Sequence, residues 1–572
     1  MKKIVSIFVL SMAFVVISNA QTIKIVSGKA DTVRTSALIL KGITEKDSRI
    51  FVNGKEFPVY WTGVFAAQAD LRQGANTVEI VAQLGAKKAV DTLNVVYLPR
   101  EAEKEVQGIA IEKIELTPSE DMILSVGDEL KIRVKATPAS ELTWLGGLPV
   151  RELPASESNG VAGYYQAIYK IKSNEDIFNN PLEIILKKDG QTVNKVIDTK
   201  IEVLDAENSA IMLRTVGDLP YLNYGLGTDR LGGSKISHIT SGIVLKAVGK
   251  VGELYKVQLG KHYQAWIPES CTEKVSSALF APFSLVSSWS ARGYDKTDVL
   301  SVSLDTKLPF RTFQEINPNR IIIDLFGAVT NTAWITQYPE TLKSIANLTY
   351  EQIDDDILRI AIELKHEHWG YKIDYQGNTL IVTVKHRPRL SLNGLHIAID
   401  AGHGGTNMGA RGTTGIYEKV INLKFAELLK VELEKRGAQI TMTRDADTDL
   451  SMSERILLLR KANPDLLVSI HCNAGGSPFT GKGSSTYYRH IGFRPLSTAI
   501  LKRVLELGMN NFGNVGSFNF ALSSPTEYPN VLVETLFLSS PEDEANLLDD
   551  AYKQRLMKKV AEGIEDYLKE LK

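Results

Sequence analysis

From Thr22 to about Lys385 the chain is written in short alternations of apolar and polar residues broken by turn signals. That period of two predicts half-buried strands. "RIFVNGKEFPVY" sets Asn53-Gly54 between two such runs and predicts a tight hairpin. "GVFAAQADLRQGANTVEIVAQ" predicts a turn at Gly74-Ala75-Asn76, and "GIVLKAVGKVGELYKVQLGKHYQAWIPES" another at Val251-Gly252. The charged, proline-containing "LPREAEKEVQG" and the short "RPRLSLNG" predict linkers. After Gly394 the texture changes. Strand-like "HIAID", "QITMTR", "LLVSIHCNA" and "NVLVETLFL" alternate with the helical patterns "VINLKFAELLKVELEKRGA", "MSERILLLRKAN" and "DAYKQRLMKKVAEGIEDYLKEL". Gly437 and Asn463-Pro464 end the first two helices. The fold class expected is therefore multidomain: several all-β modules, then a C-terminal α/β domain with a mostly parallel sheet covered by helices. The boundaries expected are 21–100, 108–205, 207–275, 280–386 and 395–572.

Length and composition narrow the picture. The 572 residues exceed what one core organises, and 44% hydrophobic with 23% charged residues excludes wholesale disorder. A formal net charge of −1 supplies no global drive toward nucleic acid, so none is expected as partner. "MKKIVSIFVLSMAFVVISNAQT" opens with Lys2 and Lys3, continues apolar from Ile4 to Ile17, and closes on small residues. It predicts a signal peptide over residues 1–20. Its apolar run is shorter than the roughly 20 residues that span a bilayer, and no later stretch qualifies. The mature chain is expected to be exported, wall-associated in the periplasm, and without a membrane-spanning segment. Cys271 and Cys472 fall in different predicted domains, so no disulfide between them is expected.

Candidate chemistry gathers at strand ends. "IAIDAGHGGTNMGARG" (Ile397–Gly412) leaves an apolar strand through an acid and sets His403 among glycines. "LLVSIHCNAGG" repeats the arrangement with His471 and Asn473. In such sheets ligands bind at the carboxyl ends of the strands. Imidazole is the commonest zinc ligand, and catalytic zinc takes three protein ligands with one open position. Glu418, in "GIYEKVINL" at the first turn of the first predicted helix, supplies an oxygen donor; alone it would read as a helix-start acid. Glu534 stands in an apolar strand, where a carboxylate is costly to bury, and is the candidate general base. If His471 faces the site, alternation turns Cys472 into the core. Strand alternation also explains His366 and His368 better than a metal pair does. Arg411, Arg444 and Asn473 are candidates for holding substrate, with surface, fold-stabilising or turn roles as alternatives.

Several resemblances follow. Residues 21–100 resemble bacterial immunoglobulin-like modules, 207–275 resemble SH3-like modules, and "NPNRIIIDLFGA" with its neighbouring strands resembles the AMIN domain. "IDAGHGGTNMGARG", "GIYEKVINL", "TRDADTDLSMSER", "VSIHCNA" and "PNVLVETLFLSSPEDEANLL" resemble, in order, the blocks of the zinc-dependent N-acetylmuramoyl-L-alanine amidases, the amidase_3 family. The resemblance covers 395–572. It implies one Zn2+ held by His403, Glu418 and His471, and Glu534 as catalytic residue. It also implies peptidoglycan as partner and substrate, cleaved between N-acetylmuramic acid and L-alanine by zinc-activated water. A further implied partner is an activator or divisome protein. The alternatives are an inactive or weakly active wall-binding adaptor, or another zinc hydrolase of the cell wall. The family usually has aspartate where this chain has Asn407, and glycine where it has Leu536. Asn407 keeps a turn-forming side chain, while Leu536 is expected to narrow the site. No long segment is added between His471 and Glu534, where relatives plugged by a helix carry an insertion, so an open pocket is expected.

Overall fold

The computed structural model describes residues 21–100, 103–172, 182–204, 211–227, 232–276 and 280–572. The predicted signal peptide lies outside them. Among the described residues no helix is long and apolar enough to cross a membrane.

The N-terminal region is all β. Residues 23–97 form two facing sheets of three and five strands around a core that includes Leu40, Ile50, Phe65 and Ile80. Ala37–Thr44 turns every second residue fully inward, as its alternation predicts. Asn53 and Gly54 adopt φ of 48° and 79°, the left-handed pair that closes a two-residue hairpin. The turn expected at 74–76 falls earlier, because Asn76 accepts from the Arg72 amide and Gly74 already begins the next strand. The regions 108–205 and 207–275 share a sheet: Met122–Ser125 pairs with both Ile201–Leu204 and Val244–Val251. Residues 284–385 form two further sheets, of five and four strands. Their core is continuous with that of the preceding region, from Leu245 and Val257 to Ile323 and Ile360.

In the C-terminal domain the elements are β1 (His396–Ala401), α1 (Glu418–Glu434), β2 (Gln439–Met442), α2 (Met452–Ala462), β3 (Leu466–Asn473), β4 (Ser484–Tyr487), α3 (Arg494–Leu505), β5 (Asn511–Val515), β6 (Asn530–Phe537), α4 (Pro541–Leu548) and α5 (Asp550–Glu570). The sheet runs in the order β2-β1-β3-β6-β4-β5. It is mixed rather than simply parallel, because β4 pairs antiparallel with β6 while the other neighbours are parallel. Strand β6 is buried at every position, as a central strand covered on both faces must be. One face carries α1, α3 and α5 over Ile397, Ile399 and Val468; the other carries α2 over Ala398 and Leu467. Leu556, Val560 and Ile564 of α5 are fully buried, each stabilising by about 1.5–3 kcal/mol. Helix α2 starts on a capping box, Ser451 with Glu454, and ends at Asn463 in the left-handed conformation.

The N-terminal sandwich returns to this domain. Its strand Val64–Asp70 packs on α4, and Val26 lies against Gly415 in the loop between β1 and α1.

Candidate metal centre

Parallel strands β1, β3 and β6 lie side by side, so their carboxyl ends share one edge. His403 follows β1, His471 stands near the end of β3, and Glu534 is the register partner of His471 on β6. Directly paired residues project to the same face of a sheet, which brings that carboxylate beside that imidazole. Glu418, the first residue of α1, completes the group. One ligand atom from each of His403, Glu418 and His471 lies within 4.8 Å of the others.

The glycines of the loop now have a physical reason. A Cβ on Gly402 would stand 2.2 Å from the His471 ring. One on Gly409 would stand 2.6 Å from Glu418 Oε2 and 2.7 Å from the His403 ring. Side chains there would fill the space the donors occupy.

Glu418 is buried, and both its oxygens are held. Oε1 accepts from the Cys472 amide (3.1 Å) and Asn422 Nδ2 (3.1 Å), and Oε2 from the Ala410 amide (2.9 Å). His471 Nδ1 lies 3.0 Å from Oε1, and His403 Nε2 3.1 Å from Oε2. Burial works to raise the Glu418 carboxyl, but the hydrogen bonds from His403 and His471 outweigh it and hold it well below the usual carboxylate range. Burial likewise works to lower His471, yet the Glu418 hydrogen bond, followed by the charges of Glu418, Glu534 and Asp400, lifts it to about 9.

His403 takes φ of 62°, a region that non-glycine residues rarely adopt and that recurs at functional sites. Two braces hold it. Its Nδ1 is hydrogen-bonded to Asn407 Oδ1 at 2.8 Å, which makes Nδ1 the donor and turns Nε2 toward the cluster. Its carbonyl accepts from Arg455 Nη2 at 2.6 Å. Arg455 is itself fully buried and paired with Asp400 (2.6 Å), which also accepts from Thr443 and Ser469. The acid at the end of "IAID" is thus the anchor of a buried brace.

The remaining candidates take the following places. Arg444 is buried and donates to the carbonyls of Ala401 (2.9 Å), Gly402 (3.0 Å), Lys419 (2.8 Å) and Ala446 (3.1 Å), so its guanidinium holds the loop rather than a substrate. Arg411 is exposed, its guanidinium 5.9 Å from the Tyr417 ring, and does not line the cleft. Asn473 does line it, with Oδ1 accepting from the Ala474 amide rather than from His471. Leu536 is fully buried among core residues and does not narrow the site. Cys472 is buried, its thiol pushed well above its ordinary value by burial. His366 and His368 lie in the loop after the strand Ile357–Leu364, not in a strand, and bond to Ser344 Oγ (2.9 Å) and the Glu315 carbonyl (2.8 Å).

The donors line a cleft of about 810 Å3 with Glu534 among them. Met408, Met452, Phe520 and Leu522 add an apolar part to its lining. The segment carrying Phe520 joins β5 to β6, and nothing in its local sequence marked it as part of the lining.

A family profile described as N-acetylmuramoyl-L-alanine amidase matches residues 397–566, and one described as AMIN domain matches 289–384. Over 198 residues the chain is 33% identical to N-acetylmuramoyl-L-alanine amidase LytC of Bacillus subtilis (strain 168), covering 33% of this chain and 39% of that protein. Over 200 residues it is 30% identical to "Probable cell wall amidase LytH" of Staphylococcus aureus, covering 35% of this chain and 67% of that protein. The match thus spans less than half the length of LytC and about two thirds of LytH. Among solved structures, the catalytic domain of CwlV, an N-acetylmuramoyl-L-alanine amidase from Bacillus (Paenibacillus) polymyxa var. colistinus, is 31% identical with a TM-score of 0.30. That similarity covers 31% of this chain and 99% of that one.

Proposed function

This chain belongs to the N-acetylmuramoyl-L-alanine amidase family, and from that premise we propose that its C-terminal domain hydrolyses the amide between N-acetylmuramic acid and the L-alanine of the stem peptide. The observation that carries the reading is the His403–Glu418–His471 cluster with Glu534 in register beside it. Two imidazole nitrogens and one carboxylate, all turned to one point, suit a single zinc ion with a position left open. When bound there, zinc supplies a lowered pKa for water and a Lewis acid for the amide carbonyl.

The chain's own residues supply the rest. Glu534 takes the proton of the attacking water and returns it to the departing nitrogen. Asn407 fixes the tautomer of His403, and Arg455 holds the backbone that presents it. Glu418 is held in place by the Ala410 and Cys472 amides. The cleft admits a polymer's side branch, and the apolar part of its lining shields the reacting amide from bulk water. By this reading the protein acts outside the cytoplasm on the cell wall, with the AMIN domain beside the catalytic one, and 21–100, 108–205, 207–275 and 280–386 serve as wall-side modules.

Digestion of purified sacculi, with fragments identified by mass, tests the proposal. Muramic acid with a free lactyl carboxylate plus intact stem peptides is the expected product, and a chelator should suppress it. New termini within the peptide, or released acetate, would assign a different hydrolase. No product under metal-replete conditions would favour an adaptor.

A further inference from the structure

A second cavity lies at the junction of the SH3-like region, the AMIN domain and the catalytic domain. Lys235, Lys372, Arg460 and Arg489 bring four cationic side chains to its lining. Glu527 pairs with Arg460 (2.7 Å) and Asp374 with Lys372 (2.7 Å). Lys235 and Arg489 form no ion pair with a carboxylate among the described residues. Arg489 donates instead to neutral oxygens, Asn519 Oδ1 (3.1 Å) and the Lys235 carbonyl, while the Lys235 ammonium lies 4.6 Å from the Tyr221 ring centroid. Both are partly buried, and burial and then the charge of Arg489 lower the Lys235 ammonium, so two cations that no carboxylate balances are costly to hold there. Their field reaches the neighbouring imidazoles: burial lowers His238, and the charges of Arg460, Lys235 and Arg489 lower it further. The space is about 50 Å3, room for a few waters or one small oxyanion.

We propose that this junction cavity binds one oxyanion, a carboxylate or a phosphate, between Lys235 and Arg489. The guanidinium spends one N–H on Asn519 and one on the Lys235 carbonyl and keeps its remaining N–H donors for such a group, and the ammonium adds a point charge. Ser524 and Thr526 line the same space, four and six residues after Phe520 of the catalytic cleft lining. An anion here would therefore bear on the segment that faces the substrate. A stem-peptide carboxylate is one source, and that source rests on the wall-hydrolase reading; inorganic phosphate is the other and does not.

Calorimetric titration of the full chain tests it, at ionic strength fixed with sodium chloride. One arm uses sodium phosphate, the other a soluble stem peptide with free carboxylates. Saturable binding is expected in at least one arm, weakened tenfold or more in Arg489→Met and in Lys235→Met. The half-buried Lys235 keeps the test decisive if Arg489→Met fails to fold. Tighter peptide than phosphate binding would identify the wall as source, and phosphate binding alone a phosphate group. Saturation in neither arm, or equal affinity in folded Lys235→Met, overturns the site. Because phosphate is no substrate, that failure would leave the amidase reading standing if sacculi are still cleaved.

Discussion

Two sets of largely buried histidines meet opposite fates in this molecule. At the cleft, His471 is raised to about 9, because a carboxylate stands on its ring nitrogen and two more acids lie near. At the interdomain junction, burial and then the charges of Arg460, Lys235 and Arg489 push His238 down to about 3. Burial followed by Arg489 takes His490 to about 4, and burial, with His366 adding to it, takes His368 to about 4. Desolvation favours the neutral imidazole in every case. Only the acids at the cleft reverse it. Burial alone therefore does not decide the charge of an imidazole here; the charged groups around it do.

The contrast can be broken from the cleft side first. Glu534→Gln keeps the size of the side chain and removes its proton acceptor, so hydrolysis should fall by about 10²–10⁴-fold. Metal content measured on the same sample should not change; if it does, Glu534 is a ligand rather than a base. Next in size is Arg455→Met, which strands Asp400 as an unpaired buried charge and releases the His403 carbonyl. Denaturant unfolding should show a loss of about 3–5 kcal/mol. A smaller effect is expected for Asn407→Ala, which frees the His403 ring to rotate. Zinc affinity by competition with a chelating dye should drop about 10–100-fold, with folding intact.

The junction gives the smallest effect near neutrality. Its three histidines have folded pKa values below the unfolded 6.5, so unfolding takes up protons once the pH falls below that value. Their contribution to stability is complete above about pH 6.5 and is lost as the pH falls toward 4. Thermal unfolding should shift only slightly between pH 7.5 and 6 and increasingly below. Conversion of His490 to Phe should flatten that slope. An unchanged slope would mean that the junction histidines are already protonated in the fold, and the contrast with the cleft would fail.

Much of the cleft was legible because its signals are local. Strand-end histidines, a carboxylate at a helix start, and a buried glutamate in an apolar strand each carry their chemistry in a few adjacent residues. The glycines announced a close approach, and in the fold it is to the rings of His471 and His403. The two arginines stayed open between substrate, surface and fold-stabilising roles for one reason. Whether a guanidinium meets backbone carbonyls, as Arg444 does, or an exposed tyrosine, as Arg411 does, depends on partners far along the chain. Asn407 was noticed as a departure, but its hydrogen bond to His403 depends on the loop closing back on itself. The antiparallel β4 escaped notice because "SSTY" is short and has no apolar alternation, so only its place beside β6 makes it a strand.

The sequence by itself determined the change from β-only to α/β texture, the ends of α1 and α2 and the kinds of donor at the strand ends, since each follows from periods and propensities within a few residues. Only the tertiary structure decided which donors converge, which arginine is consumed by the fold, and that unpaired cations from separate regions share a cavity. Those outcomes depend on distances between residues tens to hundreds of positions apart, and no local pattern encodes them.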